Sequence, residues 1–308
     1  MGFEKTVVPV ILGPTAVGKT DLVLDLALKF GYEVISCDSR QIYRYMDIGT
    51  AKPLLEQRSA VKHHLIDILE PAQTYSAFAF AQDALNIIRE SARLGKKVLI
   101  CGGTGLYFYI LSGGADALSE ADLEYRALLQ REAGESGAPA LHRKLEEVDP
   151  QAASKIHPND LQRLLRALDI FHRSGSPISS LHKKKSPPQD IDFCTVVINR
   201  PREILYKRIN ERVDAMIEQG LMEEFRSLRE RGYGETSPGM VCVGYRELFH
   251  AERGTGGLKD AAALIKQNSR RYAKRQMTWF RNKTEARHIE ISDEDSSQLY
   301  KWFQSFAS

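Results

Sequence analysis

Eight consecutive residues, Gly13-Pro14-Thr15-Ala16-Val17-Gly18-Lys19-Thr20, read G-x-x-x-x-G-K-T. That spacing belongs to a loop that holds phosphate with its own backbone. Glycines let the chain curl until successive N–H groups face one anion. A helix starting where the loop ends adds the partial positive charge of its N-terminus. Lys19 supplies a full charge, and the Thr20 hydroxyl can ligate Mg²⁺. The chemistry is recognition of a di- or triphosphate, and the loop leaves open which compound carries it. Its flanks agree. The apolar run 7–12 reads as a buried strand, and 21–30 reads as a helix stopped by Gly31.

A carboxylate is the next reactive group. Residues 32–38 read as a second strand ending on Asp38. An acid there can serve as base toward an acceptor or support Mg²⁺. It can equally be a turn residue that caps local N–H groups. A nucleotide hydrolase should end a further buried strand in an Asp that holds Mg²⁺. The candidate strand, 97–101, runs instead into Gly102-Gly103-Thr104-Gly105, which offers backbone and a hydroxyl but no carboxylate. The D-D-x-x-D signature of many prenyl-diphosphate enzymes is also absent. A diphosphate would then be held by the loop, Lys19 and arginines, with Mg²⁺ on Thr20 and Asp38. Arg208 and Arg212 lie four apart and share a helix face. Guanidinium forks suit a leaving pyrophosphate. The competing possibility is a solvated stripe paired with Glu211 or Asp214.

Basic residues cluster twice. Between 266 and 287 there are eight Lys or Arg against Glu285 alone, interleaved with Tyr272, Trp279 and Phe280. Between 162 and 185 there are six against Asp169 alone. Each cluster taken singly is as consistent with a solvated helix face. Two of them on one chain favour a long polyanion, hence nucleic acid.

The elements that position these groups alternate. After the first two strands comes a polar loop, 39–53, then a short strand at 63–68. A helix capped by Ser76 runs to about 93 and is closed by Gly95. The strand 97–101 and a short helix at 106–111 follow. This β-α-β-α order predicts an α/β fold: a P-loop NTPase-like parallel sheet with helices on both faces. Ligands of such sheets bind at the carboxyl ends of the strands, where the phosphate loop, Asp38 and Thr104 all fall. From 116 to 189 the pattern is purely helical, with segments at 121–131, 139–148 and 160–172, the last capped by Asn159 or Asp160. An all-helical insertion domain is expected there, closed by the basic linker 183–188, with residues 1–115 and 190–308 forming the core. The sheet resumes at 193–198. A long amphipathic helix spans 201–231, a short one 244–250 and a basic one 258–281. A last strand at 286–291 precedes a final helix.

At 308 residues, 43% hydrophobic and 27% charged, the chain can fill a sizeable core. No apolar run is long enough to span a bilayer, and no signal-like segment precedes the first strand, so no membrane partner and a cytoplasmic location are expected. Cys37, Cys101, Cys194 and Cys242 are scattered, suggesting neither a zinc site nor a disulfide frame. A net charge of +3 does not by itself imply nucleic acid. On these grounds alone the function stays open, with a small-molecule kinase in which Asp38 activates a hydroxyl and an RNA-binding protein with a nucleotide switch among the readings.

The motifs taken together resemble the bacterial tRNA dimethylallyltransferases, nearly end to end. The likeness covers 13–20 and then Asp38-Ser39-x-x-Ile42-Tyr43-x-x-Met46-Asp47-Ile48-Gly49-Thr50-Ala51-Lys52-Pro53. It continues through Gly102-Gly103-Thr104-Gly105-Leu106-Tyr107, Ile156-His157-Pro158-Asn159-Asp160-x-Gln162-Arg163, Cys242-Val243-Gly244-Tyr245-Arg246 and Ala273-Lys274-Arg275-Gln276-x-Thr278-Trp279. Val241 stands where an Arg is expected, and the zinc finger of eukaryotic relatives is absent.

The resemblance implies transfer of a dimethylallyl group from dimethylallyl diphosphate to the exocyclic amine of the adenosine 3′ to the anticodon. It implies Mg²⁺ as cofactor and a tRNA anticodon stem-loop as partner, and a monomer is expected. Asp38, Thr104 and Arg212 would act in catalysis, with Thr20 and Asp38 toward the metal. Residues 13–20 and Arg208 would hold the diphosphate, and Tyr107 and Phe108 would wall its tail. The RNA side would comprise Asp38, Ser39, Arg40, Gln41, Thr104, Arg126, Gln162, Arg163, Leu164, Leu165, Arg166, Val241, Cys242, Val243, Gly244, Tyr245, Arg246 and Arg275.

Overall fold

The computed structural model describes residues 5–114, 121–180, 187–254, 257–293 and 295–307. β1 (Thr6–Leu12) is buried along most of its length, as a strand covered from both sides must be. It leads through the phosphate loop into α1 (Lys19–Phe30), then β2 (Tyr32–Cys37), α2 (Leu55–Ala60), β3 (His63–His64), α3 (Ala77–Arg93), β4 (Lys97–Gly102) and α4 (Gly105–Leu111). Helices α5 (Leu123–Ser136), α6 (Ala138–Val148), α7 (Pro150–Ala153) and α8 (Leu161–Ser174) follow. The chain ends with β5 (Ile191–Asn199), α9 (Arg202–Glu218), α10 (Leu221–Glu230), α11 (Tyr245–Glu252), α12 (Leu258–Lys283), β6 (Arg287–Glu290) and α13 (Ser297–Ala307).

Among the described residues the strands form one parallel sheet in the order β3-β2-β4-β1-β5-β6. The chain therefore adopts the P-loop-like α/β fold that its pattern predicts. Side chains alternate across the sheet with period two. Ile11, Val34, Leu99, Val196 and Ile198 pack on one face with Leu26, Leu205 and Phe303 from the helices. Val10, Leu12, Ile35, Val98, Ile100 and Val197 pack on the other with Phe80, Ile88 and Phe108. The central strands are thus held from both sides, and their carboxyl ends are fixed in register, with Cys37 and Leu12 both opposite Gly102.

A third cluster anchors loop 39–53. Ile42, Tyr43 and Met46 pack with Val213, Phe225, Tyr245 and Leu248. Lys52, its side chain only 1% exposed, donates to Tyr43 O at 2.5 Å, Asp47 Oδ1 at 2.9 Å and Asp67 Oδ1 at 2.5 Å. A buried ammonium needs such partners to offset its lost hydration.

The chain divides into two compact units, Met1–Ser112 with Pro187–Ser308, and Gly113–Ser186. The second has its own core of Leu129, Leu141, Leu145, Leu164, Leu165 and Leu168. Asp160 caps α8, its side chain accepting from Arg163 N. The basic residues Lys183, Lys184 and Lys185 of the expected linker, and the expected domain start at 116, lie outside the described residues.

Two expected elements differ. The helix expected over 201–231 is two helices, because Gly220 adopts φ 98° between α9 and α10. A left-handed residue cannot continue a right-handed helix. The strand expected over 63–68 stops after His64, because Leu65 and Asp67 take positive φ. There Asp67 turns away from the ladder to meet Lys52 and Arg58. The described cysteines are all free. No helix among the described residues is long and apolar enough to cross a membrane.

Candidate active site

Strands β2, β4 and β1 are neighbours, and each hands on to a loop that carries chemistry. β1 enters the phosphate loop, in which Ala16 and Gly18 take φ 63° and 98°. This curl, tolerated best by glycine, turns the loop into the N-terminus of α1. β2 ends beside Asp38, and β4 ends beside Gly103 and Thr104. Thr104 Oγ1 accepts the Ser39 N–H at 3.0 Å, and the Thr104 N–H donates to Cys37 O at 3.1 Å. Asp38 Oδ1 accepts the Arg40 N–H at 2.8 Å. The acid therefore does cap its turn, but with one oxygen. Its other oxygen takes no hydrogen bond among the described residues.

A cavity of about 400 Å³ opens over these loops, lined by Thr15, Ala16, Val17, Gly18, Lys19, Thr20, Asp38, Gln41, Arg208 and Arg212, among others. Gly13 and Pro14 contribute their carbonyls, each accepting from Lys19 Nζ at 2.8 Å. Burial pulls the Lys19 pKa down to about 8, opposed by nearby Cys101 and Asp38. Arg212 Nη2 donates to Thr15 Oγ1 at 2.6 Å. Burial draws this guanidinium down to about 10 against the pull of Asp38. Arg212 Nε is buried with no acceptor among the described residues. Arg208 Nε donates to Ala16 O at 3.2 Å, and its Nη1 pairs with Asp293 at 3.0 Å.

The alternative pairing of these arginines does not form. Glu211 meets Lys207, and Asp214 meets Lys266. Backbone N–H groups, three cationic side chains and an orphan guanidinium donor thus share one space, which suits a diphosphate. Among the described residues no group of three or more His, Cys, Asp or Glu forms a protein-built metal cage. The Thr20 hydroxyl and the Asp38 carboxylate suit Mg²⁺ instead, since that ion takes few protein ligands and rides on substrate phosphates.

Residues 41–283 match the family model described as IPP transferase. The chain is 45% identical to the tRNA dimethylallyltransferase of Geobacter metallireducens, over 96% of each chain. A tRNA dimethylallyltransferase of Syntrophobacter fumaroxidans is 44% identical over 95% of this chain and 86% of its own length.

The chain belongs to the IPP transferase family.

Solved structures agree. The crystal structure of the full-length tRNA isopentenylpyrophosphate transferase from Bacillus halodurans is 37% identical with a TM-score of 0.70, covering 98% of both chains. A eukaryotic dimethylallyltransferase caught acting on tRNA has a TM-score of 0.82 at 27% identity, covering 96% of this chain and 77% of that one.

In this IPP transferase the other expected residues divide by exposure. Val241, Arg246 and Arg275 are exposed on the sheet unit, with Arg275 near the Tyr272 ring at 5.7 Å. Arg40 Nη1 donates to Pro238 O at 2.9 Å, and Gln41 Nε2 to Ala51 O at 3.1 Å. Gln162 and Arg163 are exposed on the helical unit. Several others turn inward, where their side chains hold the scaffold. Tyr245 is fully buried and donates to Glu224 Oε1 at 2.5 Å. Leu164 and Leu165 fill the core of the helical unit. The Cys242 thiol donates to Gly239 O, and burial pushes its pKa up to about 12. Gly244 is the buried start of α11, with Val243 half-buried before it. Arg126 donates from Nε and Nη2 to the fully buried Asp169, and Arg166 lies 4.0 Å from the same carboxylate. Tyr107 stacks on Phe80 and Phe108 meets Phe193 edge-on, so both rings belong to the core under the sheet and not to the cavity wall.

Some residues of the site carried no functional signal of their own. Gln276 and Tyr272 line the cavity from α12. Arg200 Nε donates to Val17 O at 2.8 Å from behind the loop and shares Asp293 with Arg208. In sequence Arg200, between β5 and α9, carries no signal at all. Gln276 stands there only as one position of the motif 273–279, and Tyr272 only as an aromatic inside a basic run.

Proposed function

We propose that this enzyme transfers a dimethylallyl group from dimethylallyl diphosphate to the exocyclic amine of the adenosine 3′ to the anticodon of tRNA, releasing diphosphate. One observation carries the reading: a single cavity joins the phosphate cradle to Asp38. Donor and acceptor chemistry are thereby within one enclosure, which suits direct transfer.

The diphosphate sits in the cradle of residues 13–20, with Lys19, Arg208 and Arg212 as its cations. Ala51, Pro53 and Tyr272 give the five-carbon tail an apolar lining. As the allylic C–O bond breaks, its electron pair moves to the diphosphate, and the oriented N–H groups and cations stabilise the charge where it develops. Bound Mg²⁺, held by Thr20 and Asp38, would supply further neutralisation of that charge. The adenine amine forms the new C–N bond and becomes acidic only in doing so. Asp38 takes the proton late, as the new bond forms. Thr104 positions the reacting groups through Ser39.

The target base must leave its stack, at a cost of a few kcal/mol, and an RNA loop is where that is easiest. On the sheet unit the exposed Val241, Arg246 and Arg275 are assigned to the anticodon stem-loop, and on the helical unit, read as the gripping domain, the exposed Gln162 and Arg163. A cytoplasmic location fits a tRNA substrate.

Incubation with labelled dimethylallyl diphosphate and unmodified tRNA tests the reading, with free adenine nucleotides as control acceptors. Label is expected on tRNA. Unlabelled tRNA together with phosphate transfer from ATP would make the protein a kinase instead.

A further inference from the structure

Gln276 lies within α12, the helix that carries the exposed Lys274 and Arg275, yet its own carboxamide is buried. It makes two hydrogen bonds, one to each half of the site. Its Oε1 accepts the Thr15 N–H at 2.9 Å. Its Nε2 donates to Gly103 O at 2.8 Å. Thr15 belongs to the phosphate loop and is the residue whose hydroxyl takes the Arg212 hydrogen bond. Gly103 immediately precedes Thr104, which is bonded to Ser39 beside Asp38. The two loops also meet at their roots, where the Gly13 N–H donates to Gly102 O at 3.2 Å. Gln276 ties them farther out, where the diphosphate and the acceptor would lie.

The carboxamide carries no charge with which to hold phosphate, and both its polar atoms are committed to the two loops. Its effect is on distance. A transfer needs the reacting atoms about 3–3.5 Å apart, and a misplacement of about 1 Å costs on the order of 10²-fold in rate. We propose that Gln276 is a positioning residue for the transfer, setting the separation of the diphosphate cradle from the acceptor loop. The inference rests on the prenyl-transfer reading above.

Gln276→Glu tests it with little change of shape. A carboxylate can still accept from Thr15 but cannot donate to Gly103 O, whereas a protonated carboxyl restores both bonds. A buried carboxyl facing a carbonyl titrates above its usual range. At alkaline pH the variant's kcat is expected to fall about 10- to 100-fold, with KM for dimethylallyl diphosphate and for tRNA within about threefold of wild type. As pH falls, the ratio of variant to wild-type kcat should climb back. Lys19, Asp38, Cys101, Arg212 and Tyr272 line the same cavity, and Lys274 and Arg275 flank Gln276 on its helix. Asp21, His63, Arg208 and Glu211 complete the charged and titratable lining. All of these groups are present in both proteins, so the ratio of the two profiles reports the added acid.

Gln276→Met, of similar length but without either bond, should lose rate at every pH with no recovery, and its melting curve reports whether the fold survives. Wild-type kcat in the Met variant, or a Glu variant that follows the wild-type pH profile, overturns the inference while leaving the function standing. A wild-type enzyme that transfers nothing overturns both.

Discussion

Glu224 Oε1 lies 2.9 Å from the Gly49 N–H and 2.5 Å from the Tyr245 hydroxyl, so one carboxylate oxygen fastens the 38–53 loop to α11. The other oxygen takes the Asp47 and Ile48 N–H groups at 2.7 Å each. Three converging N–H groups form an anion-binding concavity, filled here from within the chain. Glu224→Gln turns an NH₂ toward those donors. A loss of about 1–3 kcal/mol in urea denaturation is expected, with slower transfer because the loop also places Gln41. An unshifted midpoint would contradict this.

Asp38→Ala removes the base but leaves the exposed RNA-side residues in place. Affinity for tRNA, read by fluorescence anisotropy, should hold, while kcat falls about 10²- to 10⁴-fold. Unchanged turnover would remove Asp38 from the chemistry.

Lys19 gives a pH signature. Burial brings it to about 8, so in the empty cradle it is charged below that pH and neutral above it. An incoming diphosphate requires the charge. KM for dimethylallyl diphosphate should therefore rise above about pH 8, by at most about tenfold per unit. Lys19→Arg, charged throughout, should abolish that rise even if its overall kcat/KM is lower. A flat wild-type profile up to pH 10 would count against a titrating Lys19.

At Gly102, paired with Cys37, β4 leaves no room for a side chain toward β2. A Cβ there would lie 2.0 Å from Cys37 O, and backbone cannot step aside as a side chain can. Gly102→Ala should cost about 1–3 kcal/mol and slow transfer, since Asp38 and Thr104 lie just beyond the strained pair. Gly134→Ala in α5, whose Cβ would meet nothing within 4 Å, is the control and should stabilise by about 0.5–1 kcal/mol. Equal melting temperatures for the two variants would refute the strain.

The parts of the site legible in sequence are those with local rules. The G-x-x-x-x-G-K-T loop needs a strand before it and a helix after it, and both are written in neighbouring residues. Asp38 and Thr104 could be placed because parallel strands deliver their ends to one edge. What escaped depends on contacts distant along the chain. Leu65 and Asp67 leave the strand pattern because Asp67 meets Lys52 and Arg58, a demand no window around 63–68 contains. Gly220 sat inside a run of helical period that outweighed it. Tyr245 belongs to a recurrent motif, and only its burial against Glu224 shows that its side chain serves the scaffold. Gln276 stands among lysines and arginines, and its partners are 261 and 173 residues away.

The pairing of β1 with β5, from Thr6 opposite Ile191 onward, has a consequence for how the protein is made. A ribosome must add the entire helical unit before β1 meets that neighbour. At about 5–20 residues per second the wait is roughly ten to forty seconds. Through that interval the nascent chain carries an unpaired apolar strand edge next to its most reactive loop. The helical unit, with a core of its own, can fold meanwhile. Synthesis thus leaves this chain exposed to aggregation early, and the arrival of its last third ends that exposure.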